Sequence, residues 1–240
     1  MWQNLTDAVR EQQALFDSDI QAWIDNYTHA GGRIYCGEGC SNCCTLAVNC
    51  TFPEALRISA SLSAPQAARV RKHADRLLTH VRQVSDLKSY LRMHRQQIGF
   101  CPFLANDGNC GIYRERPLSC RSLLSTRESH WCGFDFAELS SEIKRAFVES
   151  LDKGVTSFPL HYVAATQDRG QELEAETSRQ MAERIGFSLY GNLPFLVYLE
   201  REHHLSRIIP QGYEVTTSFL HQNGLLNSFL VVLDRELSPV

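Results

Sequence analysis

The chain is expected to be mainly α, with irregular cysteine-rich loops packed on a helical bundle. Three observations carry this. Apolar residues recur at helical spacing over four stretches, capping-box signals open helices at Thr51 and Ser63, and periodicity vanishes where cysteines gather.

Residues 2–30 read as an amphipathic helix through Leu5, Val9, Phe16, Ile20, Trp23, Ile24 and Tyr27, stopped by Gly31-Gly32. Thr51-Phe-Pro-Glu54 starts a short helix, with Pro where the first turn tolerates it. Ser63-Ala-Pro-Gln66 launches a longer one, apolar at Ala67, Val70, Ala74, Leu77, Leu78, Val81, Val84, Leu87 and Leu91, to about Arg95.

From Gly99 to Cys132, Pro, Gly, Asn and Cys dominate, which predicts loops held by something other than a hydrogen-bond ladder. Helical patterning returns over Phe136–Leu151 and Tyr162–Ile185. The short apolar runs FLVYLE, RIIPQGYEV and LLNSFLVVL of the last fifty residues are taken as helix. The expected organisation is a cysteine-cluster metal-binding domain over 1–150 and a helical extension over 151–240 packed on it as one compact unit.

The formal net charge of -3 supplies no basic face for nucleic acid. No apolar run approaches the roughly 20 residues needed to span a bilayer, and Asp7, Arg10 and Glu11 interrupt any leader-like stretch, so the cytoplasm is the expected location. A reducing compartment turns clustered cysteines toward metal or redox chemistry rather than disulfides. The count of nine cysteines is odd, and the neighbours Cys43 and Cys44 could bridge only through a strained ring.

Four of them, Cys36, Cys40, Cys43 and Cys44, fall within CGEGCSNCC at spacings that share one stripe of a partly helical turn. Cys101, Cys110, Cys120 and Cys132 form a second group beyond the long helix; Cys50 stands apart as a bystander. A single cysteine is ordinarily a small buried hydrophobe, but a set gathered in loops beside Gly, Asn and Ser is not.

Eight thiols point to zinc or iron–sulfur, since hard cations want oxygen. Four thiolates leave about -2 around zinc or an oxidised four-iron (4Fe-4S) cluster, so nearby cations are required. Arg33, Arg114, Arg116 and Arg121 flank the cysteines. A structural thiolate site contributes roughly 10 to 16 kcal/mol against a domain stability of about 5 to 15, so metal removal is expected to melt the region from Tyr35 to Cys132.

CGEGCSNCC followed by CPFLANDGNCGIYRERPLSCR resembles the YkgJ family of cysteine-cluster proteins. The matching residues are Cys36, Cys40, Cys43 and Cys44, then Cys101, then Cys110, Ile112, Tyr113, Arg116, Pro117, Cys120 and Arg121. The resemblance covers about residues 33–135 and departs at the first gap, which holds GEG where some members have two residues. It implies a zinc- or iron-chelating domain. Flagellin lysine N-methylase is similar through the same signature, which implies an iron–sulfur cluster and S-adenosylmethionine; no glycine-rich dinucleotide-type loop accompanies it here.

Among other side chains, His130 is an auxiliary-ligand candidate two residues before Cys132. His73 and His80 share a helix face, and His203 and His204 read as ordinary histidines. Tyr113 and Arg121 are the candidates for contacting the bound cofactor, Tyr113 by walling it from water. No catalytic triad, carboxylate pair or phosphate loop stands out, so catalytic residues stay unassigned. The leading expectation is an iron–sulfur cluster held by two cysteine groups, used in redox or S-adenosylmethionine-dependent methyl-transfer chemistry on a protein or small-molecule substrate. A zinc-stabilised binding module and a metal delivery protein are the alternatives.

Overall fold

A computed structural model describes residues 1–37 and 39–235. The chain is mainly α, as its periodicity predicts, with one small antiparallel sheet. The last five residues of the expected C-terminal extension lie outside the described range.

Helix α1 runs Trp2–His29 and buries Leu5, Val9, Phe16 and Ile20 on one face. A single turn at Asn42–Thr45 carries Cys43 and Cys44 and leads into β1, Asn49–Thr51. Both capping boxes form: Thr51 with Glu54 opens α2, Phe52–Ser61, and Ser63 with Gln66 opens α3, Ala64–His80.

The long helix expected to reach Arg95 is not continuous. Val84 turns extended, and Asp86 accepts the Ser89 amide at 2.7 Å to start a new helix, α4, Leu87–Met93, which ends in a wide turn over His94–Ile98. The apolar stripe carried straight across this break, but Leu87 and Leu91 are exposed, so no burial holds the two helices in line.

The cysteine-rich stretch from Gly99 onward is turns, one short α-helix, α5, Leu118–Ser122, and a 3-10 turn at Ser129–Gly133 that carries Cys132. Ser140 caps α6, Ser141–Glu149, and α7 spans Ala164–Ile185.

The last fifty residues are not all helix. β2, Ser188–Asn192, precedes α8 (Leu193–His203), α9 (Leu205–Ile208) and α10 (Tyr213–Gln222), and β3 covers Val231–Asp234. LLNSFLVVL was expected to be helical. Instead Asn227 accepts the Phe229 amide at 2.9 Å and turns the chain, and the β-branched Val231-Val232 pair then joins β2.

The sheet order is β1-β2-β3, with Cys50 opposite Gly191 and Gly191 opposite Val231. The main core is built by α2, α3 and α8 around Phe52, Ile58, Leu77, Phe195 and Leu199. A second apolar cluster, Phe16, Ile20, Leu118, Leu124, Val163 and Leu173, ties α1, α5 and α7 together beside the cysteine loops. No described helix is long and apolar enough to cross a membrane.

Candidate metal centre

The two helix-opening residues that cap α2 and α3 also hold the second cysteine loop. Glu54 accepts the Thr51 amide and hydroxyl through Oε2, both at 2.9 Å, and the Leu118 amide through Oε1 at 2.8 Å, fixing the start of the helix that carries Cys120. Burial raises the Glu54 pKa, and the amides of Leu118 and Thr51 oppose that rise. Gln66 accepts from Ser63 and donates to the Gly111 carbonyl at 3.2 Å. A Cβ at Gly111 would lie 2.9 Å from Gln66 and 3.0 Å from the Phe103 carbonyl, so glycine is what allows this approach. Arg69 adds a bond to the Pro102 carbonyl at 3.1 Å.

The first cysteine loop is held by the second. The Cys101 amide donates to the Cys44 carbonyl at 2.7 Å. Asn42 donates to Ser129 at 2.9 Å, and the Tyr35 amide donates to Ser125 at 2.9 Å.

The two loops bring most of their thiols within electrostatic range of one another. Cys36, Cys40, Cys43 and Cys132 are close enough to influence one another's ionisation, and so are Cys43, Cys101, Cys110 and Cys120. Cys43 belongs to both groups and is the meeting point. Its own thiol is pushed up first by the hydrogen bond with Cys44 and then by burial. Burial raises Cys36 and Cys101 to about 12 and raises Cys110, Cys120 and Cys132 as well.

Amide groups aim at these sulfurs. The Ser125 amide donates to Cys36 Sγ at 3.1 Å, and backbone N–H groups of Phe103 and Ile112 bond Cys101 and Cys110. All nine cysteines are free thiols. Cys50 is buried in β1, where it senses Glu54 and Glu174 before Cys120.

Of the flanking arginines, it is Arg116 whose charge lowers the pKa of Cys43, Cys110 and Cys120. Arg121, expected at the cofactor, is 3% exposed and has other partners. It donates to the Arg116 carbonyl at 2.8 Å, to the Arg114 carbonyl and to Asp17. Its place directly after Cys120 is therefore used to hold the turn before α5 and to tie it to α1. Tyr113 is about one-third exposed, its ring lying under the Arg116 guanidinium at 4.2 Å. His130 is exposed, its ring tilted against Trp131 and edge-on to Phe134.

A histidine that the sequence did not single out lies at the thiols instead. His161 Nε2 is 3.3 Å from Cys132 Sγ, and the Tyr162 hydroxyl donates to the same sulfur. Burial lowers the His161 pKa to about 4 and raises that of Cys132. The pair is therefore neutral, unlike the thiolate–imidazolium pair of an activated cysteine nucleophile. His161 sits in the segment that precedes α7, where no cysteine spacing drew attention to it.

Soft thiols, an imidazole and an adjacent guanidinium are the donor and countercharge chemistry that zinc or iron–sulfur requires. Among the described residues, no three His, Cys, Asp or Glu side chains close on one point at ligand distance.

Fold and centre together define a helical protein built around a thiol-rich site. Residues 35–136 match the family model CxxCxxCC, described as "Putative zinc- or iron-chelating domain", so the stretch holding both cysteine groups is of a metal-chelating type. No curated protein and no solved structure matches the chain.

Proposed function

We propose that the centre holds iron as an iron–sulfur cluster through thiols drawn from Cys36, Cys40, Cys43, Cys44, Cys101, Cys110, Cys120 and Cys132, and that it serves redox chemistry. The observation that supports this is that Cys43 lies within electrostatic range of thiols from both loops, the Cys101 amide bonding the neighbouring Cys44 carbonyl at 2.7 Å. Such a cluster, when bound, supplies one-electron transfer.

The residues around it have distinct duties. Amides of Ser125, Phe103 and Ile112 hydrogen-bond to sulfur, the interaction by which proteins tune cluster potentials. Arg116 offsets thiolate charge. The resemblance to flagellin lysine N-methylase supports iron and leaves S-adenosylmethionine as the co-substrate to test.

Zinc is the second reading, favoured by the Cys132–His161 pair, since three thiolates and one imidazole make a closed structural zinc site. Anaerobic purification separates the two. Brown protein with iron and acid-labile sulfide is the expected result; colourless protein with stoichiometric zinc overturns the cluster. Calorimetric titration of S-adenosylmethionine into loaded protein tests the methyl-transfer role.

A further inference from the structure

We infer that His161 is itself a ligand of the centre, binding metal through Nε2 beside Cys132, so that one metal carries a mixed sulfur and nitrogen donor set. The inference rests on the metal-binding reading above and holds for either metal. It extends the site beyond residues 35–136, the stretch that matches the chelating domain.

The spacing suits two ligands of one ion. With metal–sulfur and metal–nitrogen bonds of about 2.3 and 2.05 Å at a tetrahedral angle, sulfur and nitrogen stand about 3.6 Å apart. Here they are 3.3 Å apart, and the angle that this distance subtends at a metal with those bond lengths is about 98°. Small adjustment suffices.

The backbone is fixed for that position. The His161 carbonyl accepts the Thr126 amide at 3.0 Å and the Thr126 hydroxyl at 3.1 Å. Ser125 pairs with Tyr162, and the Val163 amide donates to Leu124 at 3.0 Å. The same loop gives the Ser125 amide to Cys36, so one short antiparallel pairing sets both a sulfur and the imidazole.

The ring is also confined, edge-on to Phe147 at 5.6 Å and tilted against Tyr162 at 4.3 Å. His161 is 3% exposed, and its Nδ1 is buried with no hydrogen-bond partner. Its Nε2 meets only a thiol, a weak hydrogen-bond partner, and this is the nitrogen that a metal would take.

The test is X-ray absorption on the full-length protein as isolated anaerobically, at the edge of the metal it carries. Imidazole scattering is expected in the wild type. It should disappear in His161→Cys, which keeps the metal in an all-sulfur shell, and in His161→Ala, which should lose metal to a competing chelator roughly tenfold or more readily. A wild-type spectrum showing sulfur alone overturns the inference and leaves the metal centre standing. Protein without stoichiometric metal overturns both, whereas zinc with imidazole scattering overturns only the iron cluster.

Discussion

Glu54 Oε1 accepts the Leu118 amide at 2.8 Å across 64 positions of sequence, so the residue that completes the capping box of α2 also starts the helix bearing Cys120. The metal loop is thereby fastened to the main core by a carboxylate that is 1% exposed. Glu54→Ala leaves the buried amides of Thr51 and Leu118 unpaired. It is expected to cost about 2 to 4 kcal/mol and to reduce metal content, read by denaturant midpoint and metal analysis on the same sample.

Metal removal should act more locally than over the whole of Tyr35–Cys132, the stretch expected from sequence to melt, because α2 and α3 lie within it. α2 and α3 share the apolar core with α8, whereas the cysteine loops rest on turns and side-chain bonds. Amide exchange after chelation is expected to lose protection over 35–46 and 99–134 while α8 keeps its own. Unchanged protection in the loops would show that metal does not order them.

Cys50 and Cys120 should respond differently to truncation. Cys50→Ala is expected to cost about 1 kcal/mol with metal content unchanged, because its thiol packs in β1. Cys120→Ala should lower metal content, since its thiol lies within electrostatic range of Cys101, Cys43 and Cys110.

Glu174, in a cleft with Asn49, Cys50 and Ser119, has its pKa raised to about 8 by burial and then by Glu54. A raised carboxyl favours the folded state while protonated. Its contribution is complete below about 4.5, declines above that, and is gone once pH has risen through about 8. Glu174→Gln should therefore gain stability over the wild type at pH 9, by an order of a few kcal/mol, and match it near pH 4. Thermal melts across that range check the sign.

Gly170 lies where α7 crosses α5, and a Cβ there would stand 2.8 Å from Ser122 Cβ. Alanine in mid-helix ordinarily gains about 1 kcal/mol over glycine. Gly170→Ala should instead destabilise by about 1 to 3 kcal/mol, measured by chemical denaturation, and disturb the site through the displacement of α5.

Much of the frame was legible in the sequence because burial and capping are local. The stripe of α1 and the Thr51 and Ser63 boxes needed only short windows to read. What failed depended on distant partners. The run from Val81 to Leu91 kept its period although Leu87 and Leu91 are exposed, and the Val231-Val232 strand exists only because β2 offers an edge. Both cysteine groups were visible by their spacing. Arg116 was one of four flanking arginines in the sequence, and adjacency to Cys120 could not show that Arg121 turns to carbonyls and Asp17 instead. His161 was missed because a lone histidine in a turn carries no pattern.

The bond between the Ser125 amide and Cys36 spans 89 positions, so the first cysteine loop cannot be finished until much of the chain has been made. At about 5 to 20 residues per second of synthesis, the nascent thiols wait roughly 4 to 18 s on the ribosome before that amide arrives. During that interval they are open to oxidants and stray cations. Timing of metal supply relative to translation, rather than final affinity alone, then governs how much of the protein matures correctly.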